Sequence, residues 1–241
     1  MRIQVVVAPV FGTNCCVVVA DAQDAGPRDC VIVDAGAGVA DAVSRLVDAE
    51  DLVPRAVLAT HGHADHTWDA AELCARYDVP VRLHAADAYR LTDPFGTLGI
   101  TPGEARVSGA LAQALADLGI RAEDYCVPGT VEPFDGASGQ VVAGDVVLRT
   151  LHAPGHTEGS TLYLLDDVTG ASGDASGVVL SGDVLFAGSI GRTDLPGGDP
   201  ALMAATLRDV VATLDPELAV VPGHGPTTTV AHELATNPFL A

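Results

Sequence analysis

The chain is 241 residues long, which allows one large domain with a substantial core or at most two small ones. Apolar residues make up 48% of it, with few aromatics, and no run of about 18 apolar residues is available to cross a bilayer. The formal charge is −20 and all 12 basic residues are Arg, so phosphate backbones and anionic surfaces are repelled, and neither nucleic acid nor a membrane is an expected partner.

Met1 to Val7 lacks the basic start and small-residue cleavage site of a secretory signal and reads as a first strand, so a cytoplasmic protein is the expectation. Residues 3–10 and 15–20 read as strands joined by Gly12-Thr13-Asn14, and Cys30-Val31-Ile32-Val33 as a third. The run Asp34-Ala35-Gly36-Ala37-Gly38 completes no phosphate-loop pattern, so a tight turn before a helix is the better reading. Residues 39–50 supply that helix, with Val39, Val43, Leu46 and Val47 on one face. Strand 56–59 leads into Thr60–His66, then a helix over 67–76 with Asp65 as its expected cap, then the short strand Val81-Arg82-Leu83.

Residues 84–126 are less regular, with helical spacing over 103–118, and 92–126 are expected to form a cap that sets specificity. Extended segments return at 141–142, 146–148, 161–165 and 178–181, with an acidic, Gly/Ser-rich loop at 166–177. Helix 200–214 and strand 218–221 close the pattern. The order predicts an α/β protein of two sheets packed face to face with helices outside, in one domain over 1–241. Cys15, Cys16, Cys30, Cys74 and Cys126 are odd in number and form no Cys-x-x-Cys pair, so they read as small buried apolar residues.

Chemistry concentrates in Thr60-His61-Gly62-His63-Ala64-Asp65-His66, which puts three imidazoles and a carboxylate at a strand end. Folding does not require so many donors together, whereas neutral imidazole and carboxylate are the ligands zinc and related divalent ions prefer. Three more strand ends carry a donor beside glycine: Pro154-Gly155-His156-Thr157, Gly182-Asp183 and Pro222-Gly223-His224-Gly225. A lone His is more often a satisfied structural residue, and a lone Asp a turn or cap. Their recurrence at apolar strand ends points instead to one shared metal site. His84 reads as a helix-start or surface residue, His152 is left outside the site, and Arg192 is expected to pair with Asp194.

These four ordered motifs resemble the metallo-β-lactamase superfamily over nearly the whole chain, and Gly182 to Gly198 is similar to short glyoxalase II-like (hydroxyacylglutathione hydrolase-like) enzymes. The resemblance implies a four-layer αβ/βα sandwich with a two-metal site along its edge. It places His61, His63 and His156 on one ion, Asp65, His66 and His224 on the other, and Asp183 between them. The ions would be divalent, zinc first, with iron and manganese accepting the same ligands. The implied reaction is hydrolysis of a small-molecule thioester by hydroxide from a metal-bound water, with Asp65 orienting the water or carrying its proton.

Two departures qualify the likeness. Lactamases of the superfamily often have Cys where Asp183 stands. Glyoxalase II enzymes carry a basic C-terminal helical region for glutathione, whereas no Arg or Lys follows His224 here. The acyl group and its thiol carrier are therefore open. Two other readings stand beside the hydrolase: an iron-dependent, persulfide dioxygenase-like oxidoreductase, and a non-catalytic metal-binding protein on the same fold.

Overall fold

The computed structural model describes residues 1–21, 26–98, 110–166, 168 and 177–240. In chain order the elements are β1 (Arg2–Val7), β2 (Asn14–Val19), β3 (Arg28–Val33), α1 (Ala40–Ala49), β4 (Leu52–Leu58), α2 (Ala64–Thr67), α3 (Ala70–Tyr77) and β5 (Val81–Arg82). They continue with α4 (Ala110–Asp117), β6 (Ser138–Ala143), β7 (Val146–His152), β8 (Thr161–Asp166), β9 (Gly177–Gly182), β10 (Leu185–Phe186) and β11 (Ser189–Ile190). The last are α5 (Pro200–Asp209), β12 (Leu218–Pro222), β13 (Thr228–Thr229) and α6 (Val230–Thr236).

β1 to β5 form one sheet in sequence order, antiparallel as far as β3 and parallel from β3 to β5. The second sheet runs β13-β12-β9-β8-β7-β6, with only the β12–β9 pair parallel. β2 and β9 are buried on both faces, which is why they read as uninterrupted small and apolar runs rather than alternating ones. Alternate residues of each strand serve different layers. Cys15, Val17 and Ile32 pack under α1 and α3 with Val43, Val47 and Leu73. Val18, Val31, Val33 and Leu58 meet Leu148, Tyr163, Leu165 and Val178 between the sheets. Leu162, Leu164 and Val220 face Met203, Leu207 and Val230 on the far side. The result is the four-layer αβ/βα sandwich of two mixed sheets with helices outside.

Several expectations shift in detail. β1 stops at Val7, before Pro9 and a turn in which Phe11 (φ 56°) and Gly12 (φ 67°) are left-handed. The helix expected over 67–76 is two pieces, α2 and α3. Between them Asp69 turns its carboxylate back to the backbone N–H of Ala40, which holds α3 against the start of α1. Asp65 is not a cap: it lies within the first turn of α2 and makes no capping bond. α5 ends at Asp209, and a tighter turn at Val211–Thr213 completes the expected 200–214 helix. Four cysteines are buried as expected, but Cys126 is exposed.

Of the expected cap at 92–126, residues 99–109 lie outside the described residues, as does most of the 166–177 loop. The described part is pinned by aromatics. Trp68 meets Phe95 and Tyr125 edge to face, and the Tyr125 hydroxyl donates to the Leu91 carbonyl at 3.1 Å.

Candidate metal centre

The two sheets bring their strand ends together along one edge. Beyond β4, the Thr60 carbonyl accepts from the N–H of Thr161 at the start of β8 (2.8 Å). The Gly223 N–H, beyond β12, donates to the Gly182 carbonyl of β9 (2.8 Å). Glycine is needed for that approach. A Cβ on Gly182, whose φ is +49°, would lie 2.4 Å from Thr60 Oγ1, and one on Gly223 would lie 2.2 Å from Asp183 Oδ1.

All seven donors read from the sequence converge here. His61 Nε2, His63 Nδ1 and His156 Nε2 form a triangle with sides of 3.1, 2.9 and 3.2 Å. Next to it, His66 Nε2 lies 3.1 Å from His224 Nε2, and Asp65 Oδ2 lies 3.4 Å from His224 Nε2. Asp183 stands between the two groups. Its Oδ2 is 3.6 Å from His156 Nε2, while its Oδ1 is 3.3 Å from His66 Nε2 and 3.6 Å from His224 Nε2. One carboxylate thus turns one oxygen to each half.

The proton positions follow from the outer partners. His156 Nδ1 faces the Arg192 carbonyl at 2.7 Å, and His224 Nδ1 faces the Phe11 carbonyl at 3.0 Å; a carbonyl only accepts, so both Nδ1 atoms carry hydrogen. The Thr60 hydroxyl donates to Asp34 Oδ2 (2.8 Å), so its contact with His61 Nδ1 (3.1 Å) requires His61 to be the donor. His66 Nδ1 lies 3.0 Å from Asp34 Oδ2, close enough to pair in charge but without hydrogen-bond geometry. His61, His156 and His224 are thereby set to present Nε2 inward as a lone pair. These lone pairs and the Asp65 and Asp183 carboxylates converge along one edge of the described structure. Divalent cations fit that set, and the His/Asp cluster is of the dinuclear type.

Charge follows the same division. Burial, then the neighbouring His156, pushes the His63 imidazole down to about 3, and burial also holds His61 well below its ordinary value. Burial pushes His66 the same way, but Asp183, Asp34 and Asp65 outweigh it and raise it well above normal. Burial likewise works to raise the carboxyls of Asp65 and Asp183, yet His66 and His224 hold both below the usual range.

Asp34 is the residue that sequence reasoning missed. It reads as the start of a glycine-rich turn, yet it is buried and left-handed (φ 60°), and it accepts from the Thr60 N–H (2.7 Å) and hydroxyl as well as facing His66. Its signal is its place at a strand end, like that of the donors themselves. The remaining histidines stay outside the cluster. His84 starts the 3₁₀ turn Ala85–Leu91 and stacks on His152 with ring centroids 4.0 Å apart. Arg192 pairs with Asp194 through two 2.7 Å hydrogen bonds, as expected, while its carbonyl orients His156.

Residues 8–224 match the model of the metallo-beta-lactamase superfamily. The chain belongs to that superfamily. It is 36% identical over 212 residues to an uncharacterized protein of Mycobacterium tuberculosis, covering 88% of this chain and 87% of that one. It is 27% identical to the hydroxyacylglutathione hydrolase GloC of Haemophilus influenzae, over 100% of this chain and 98% of that one. Among solved structures, the B3 metallo-beta-lactamase BLEG-1 is 30% identical with a TM-score of 0.75 and full coverage of both chains. TTHA1623 in a di-iron-bound form is 30% identical with a TM-score of 0.71, covering 98% of this chain and 100% of that one. This superfamily member therefore has a centre consistent with a metal-dependent hydrolase or oxidoreductase.

Proposed function

We propose that the chain is a two-metal hydrolase that cleaves thioesters, with His61, His63 and His156 holding one ion, Asp65, His66 and His224 the other, and Asp183 bridging. The observation that carries this reading is the convergence of seven donors in two groups, with three rings locked by outer acceptors so that their lone pairs meet two carboxylates. When bound, a pair of divalent ions would lower the pKa of a water to about 7 and polarise a carbonyl oxygen.

The chain's own residues bear on the substrate class we propose. His61 and His63 carry no charge near neutral pH and His156 turns an acceptor inward, so the three-histidine half offers no strong acid to protonate a leaving group. A thiolate, whose conjugate acid has a pKa of about 8.5, departs without one; an amine does not. Asp65, at 3.4 Å from His224 Nε2, is the residue we assign to orienting the water or carrying its proton. The likeness to GloC supports acyl-thiol chemistry, and residues 92–126 are the segment we assign to recognising the acyl or thiol portion.

A second reading has its own observation. The relative TTHA1623 holds two irons, and iron brings redox chemistry that zinc lacks; on the metal, the comparisons weigh toward this side. The activity would then be oxygen-dependent oxidation of a thiol persulfide. Elemental analysis of freshly purified protein, followed by a panel on the same sample, separates the two. The panel holds acyl-thioesters of several thiols, simple esters, a β-lactam, and oxygen uptake with glutathione persulfide. Thioester turnover that scales with two bound ions supports the hydrolase. Oxygen uptake with bound iron and no thioester turnover replaces it, and no turnover of any kind by the metal-loaded protein leaves a metal-binding protein.

A further inference from the structure

We propose that Asp87 is a positioning residue for the three-histidine half of the centre and not for the other half; this rests on reading His61, His63 and His156 as ligands of one ion. Asp87 lies in the 3₁₀ turn Ala85–Leu91 and is completely buried. Its Oδ2 accepts from the Gly62 N–H (2.8 Å) and the Thr157 hydroxyl (2.7 Å), and its Oδ1 from the Gly159 N–H (2.8 Å) and Arg90 Nε (3.1 Å). Gly62 is the residue between His61 and His63. Thr157 and Gly159 follow His156. One carboxylate therefore ties together two loops from different sheets that between them carry all three ligands.

The approach is too close for any side chain but hydrogen. A Cβ on Gly62 would come within 2.9 Å of the Asp87 carbonyl oxygen, and one on Gly159 within 2.7 Å of the Asp87 Cβ. The orientation it enforces matters chemically. His61 offers Nε2 and His63 offers Nδ1 to the same point, from positions two apart, and this works only if the peptide between them is held in one orientation. Among the described hydrogen bonds, none joins Asp87 to Asp65, His66 or His224; their outer partners are Thr13, Asp34 and Phe11.

A buried carboxylate is stable only when its acceptor sites are filled, and its charge-assisted bonds are the strong ones. Asn at 87 keeps the size but must turn its NH₂ toward one of the two donor pairs. The test uses zinc-loaded full-length protein and a competing chelator, reading the two dissociation constants separately, with the cobalt(II) absorption spectrum as a second readout. Asp87→Asn is expected to weaken one ion by about 10- to 100-fold and to leave the other unchanged. Thr157→Val, which removes one donor and keeps the charge, is expected to weaken the same ion less.

In a His224→Ala background, which retains the three-histidine ion, the same loss should appear in the single remaining constant. Asp29→Asn is the control: a buried carboxylate paired with Arg55 on β3, expected to move neither ion. Should Asp87→Asn fail to fold, Thr157→Val decides the question. Equal weakening of both ions, or of neither, by these variants overturns the positioning role while leaving the two-metal reading intact. A wild-type protein that takes up no metal overturns both.

Discussion

The two sheets supply the centre in different ways. The first delivers four donors, His61, His63, Asp65 and His66, from one six-residue stretch beyond β4, so their mutual placement is a local property of a turn and the short helix α2. The second delivers His156, Asp183 and His224 singly, each after a different strand, so their meeting depends on the registers of β7, β8, β9 and β12. The β9–β12 register slips at Val221/Pro222, setting Pro222 opposite Gly182 and bringing Gly223 against Asp183. A contiguous cluster tolerates small shifts of the sheet that carries it, because its members move together. A cluster assembled one strand at a time does not, and its ligands can be removed one by one.

Asp183→Asn should break this arrangement most severely. The bridging residue belongs to neither half alone, so its loss is expected to weaken both ions and to lower thioester kcat/KM by on the order of 10³-fold, equivalent to about 4 kcal/mol of transition-state stabilisation. Metal content and steady-state kinetics measure it. Retention of two tightly bound ions would show that the halves do not share this carboxylate. Next in size is Gly223→Ala, which replaces no donor but drives a methyl to within 2.2 Å of Asp183 Oδ1 and 2.7 Å of His66 Cε1. A displacement of about 1 Å at a reacting centre costs about 10²-fold, so kcat should fall by roughly that factor while the fold survives. Full activity in this variant would mean that the strand register is not what places Asp183.

What could be read in the sequence divides along the same line. The dense His-x-His-x-Asp-His run and the glycine-flanked donors at strand ends were legible because apolar runs mark where strands stop, and both the layered fold and the seven-donor cluster followed. The partners that orient those donors were not. Asp34 acts through Thr60 and His66, which are 26 and 32 residues away, and nothing near it in the chain announces them. Asp87 draws its donors from Gly62, Thr157 and Gly159, a set that exists only once the two sheets have packed. Asp65 looked like a helix cap because it stands just before an apolar helical pattern, but His224 and His66 draw its carboxylate into the centre instead.

Glu233 offers a smaller probe of the second sheet. It is fully buried in α6 and accepts from the Gly188 N–H (2.8 Å), Thr228 Oγ1 (2.7 Å) and Asn237 Nδ2 (2.8 Å), so it anchors the β10–β11 hairpin that follows Asp183. Burial works to raise its carboxyl, but the hydrogen bonds from Thr228, Gly188 and Asn237 hold it below the ordinary value. A depressed folded pKa stabilises the native state above the unfolded value of 4.5, and that contribution is lost as pH falls through the lower folded value. Glu233→Gln should therefore destabilise by about 1.5–3 kcal/mol near pH 7, with the gap to wild type closing below about pH 4. Denaturant melts across that range read it, and a gap independent of pH would place the ionised form outside the stabilising network.

The least perturbing test uses the thiols, because the buried ones all belong to the first sheet and its helices. Cys15 and Cys16 lie in β2, Cys30 in β3 and Cys74 in α3, while Cys126 is exposed. Burial pushes the Cys30 and Cys74 thiols up to about 12 and raises Cys15 and Cys16 further, so none of the four is a thiolate near pH 8. A thiol reagent at that pH should label Cys126 promptly and the other four only on unfolding. Gly223→Ala, which lies beyond β12 and meets the first sheet through the Asn14 N–H and His66, should leave the count at one. Leu73→Ala, which opens the layer beside Cys74 and costs about 2–5 kcal/mol, should raise the labelling rate of Cys74 first. If Gly223→Ala also exposed the first-sheet thiols, the sheets would be coupled through the centre more tightly than their separate supply of donors implies.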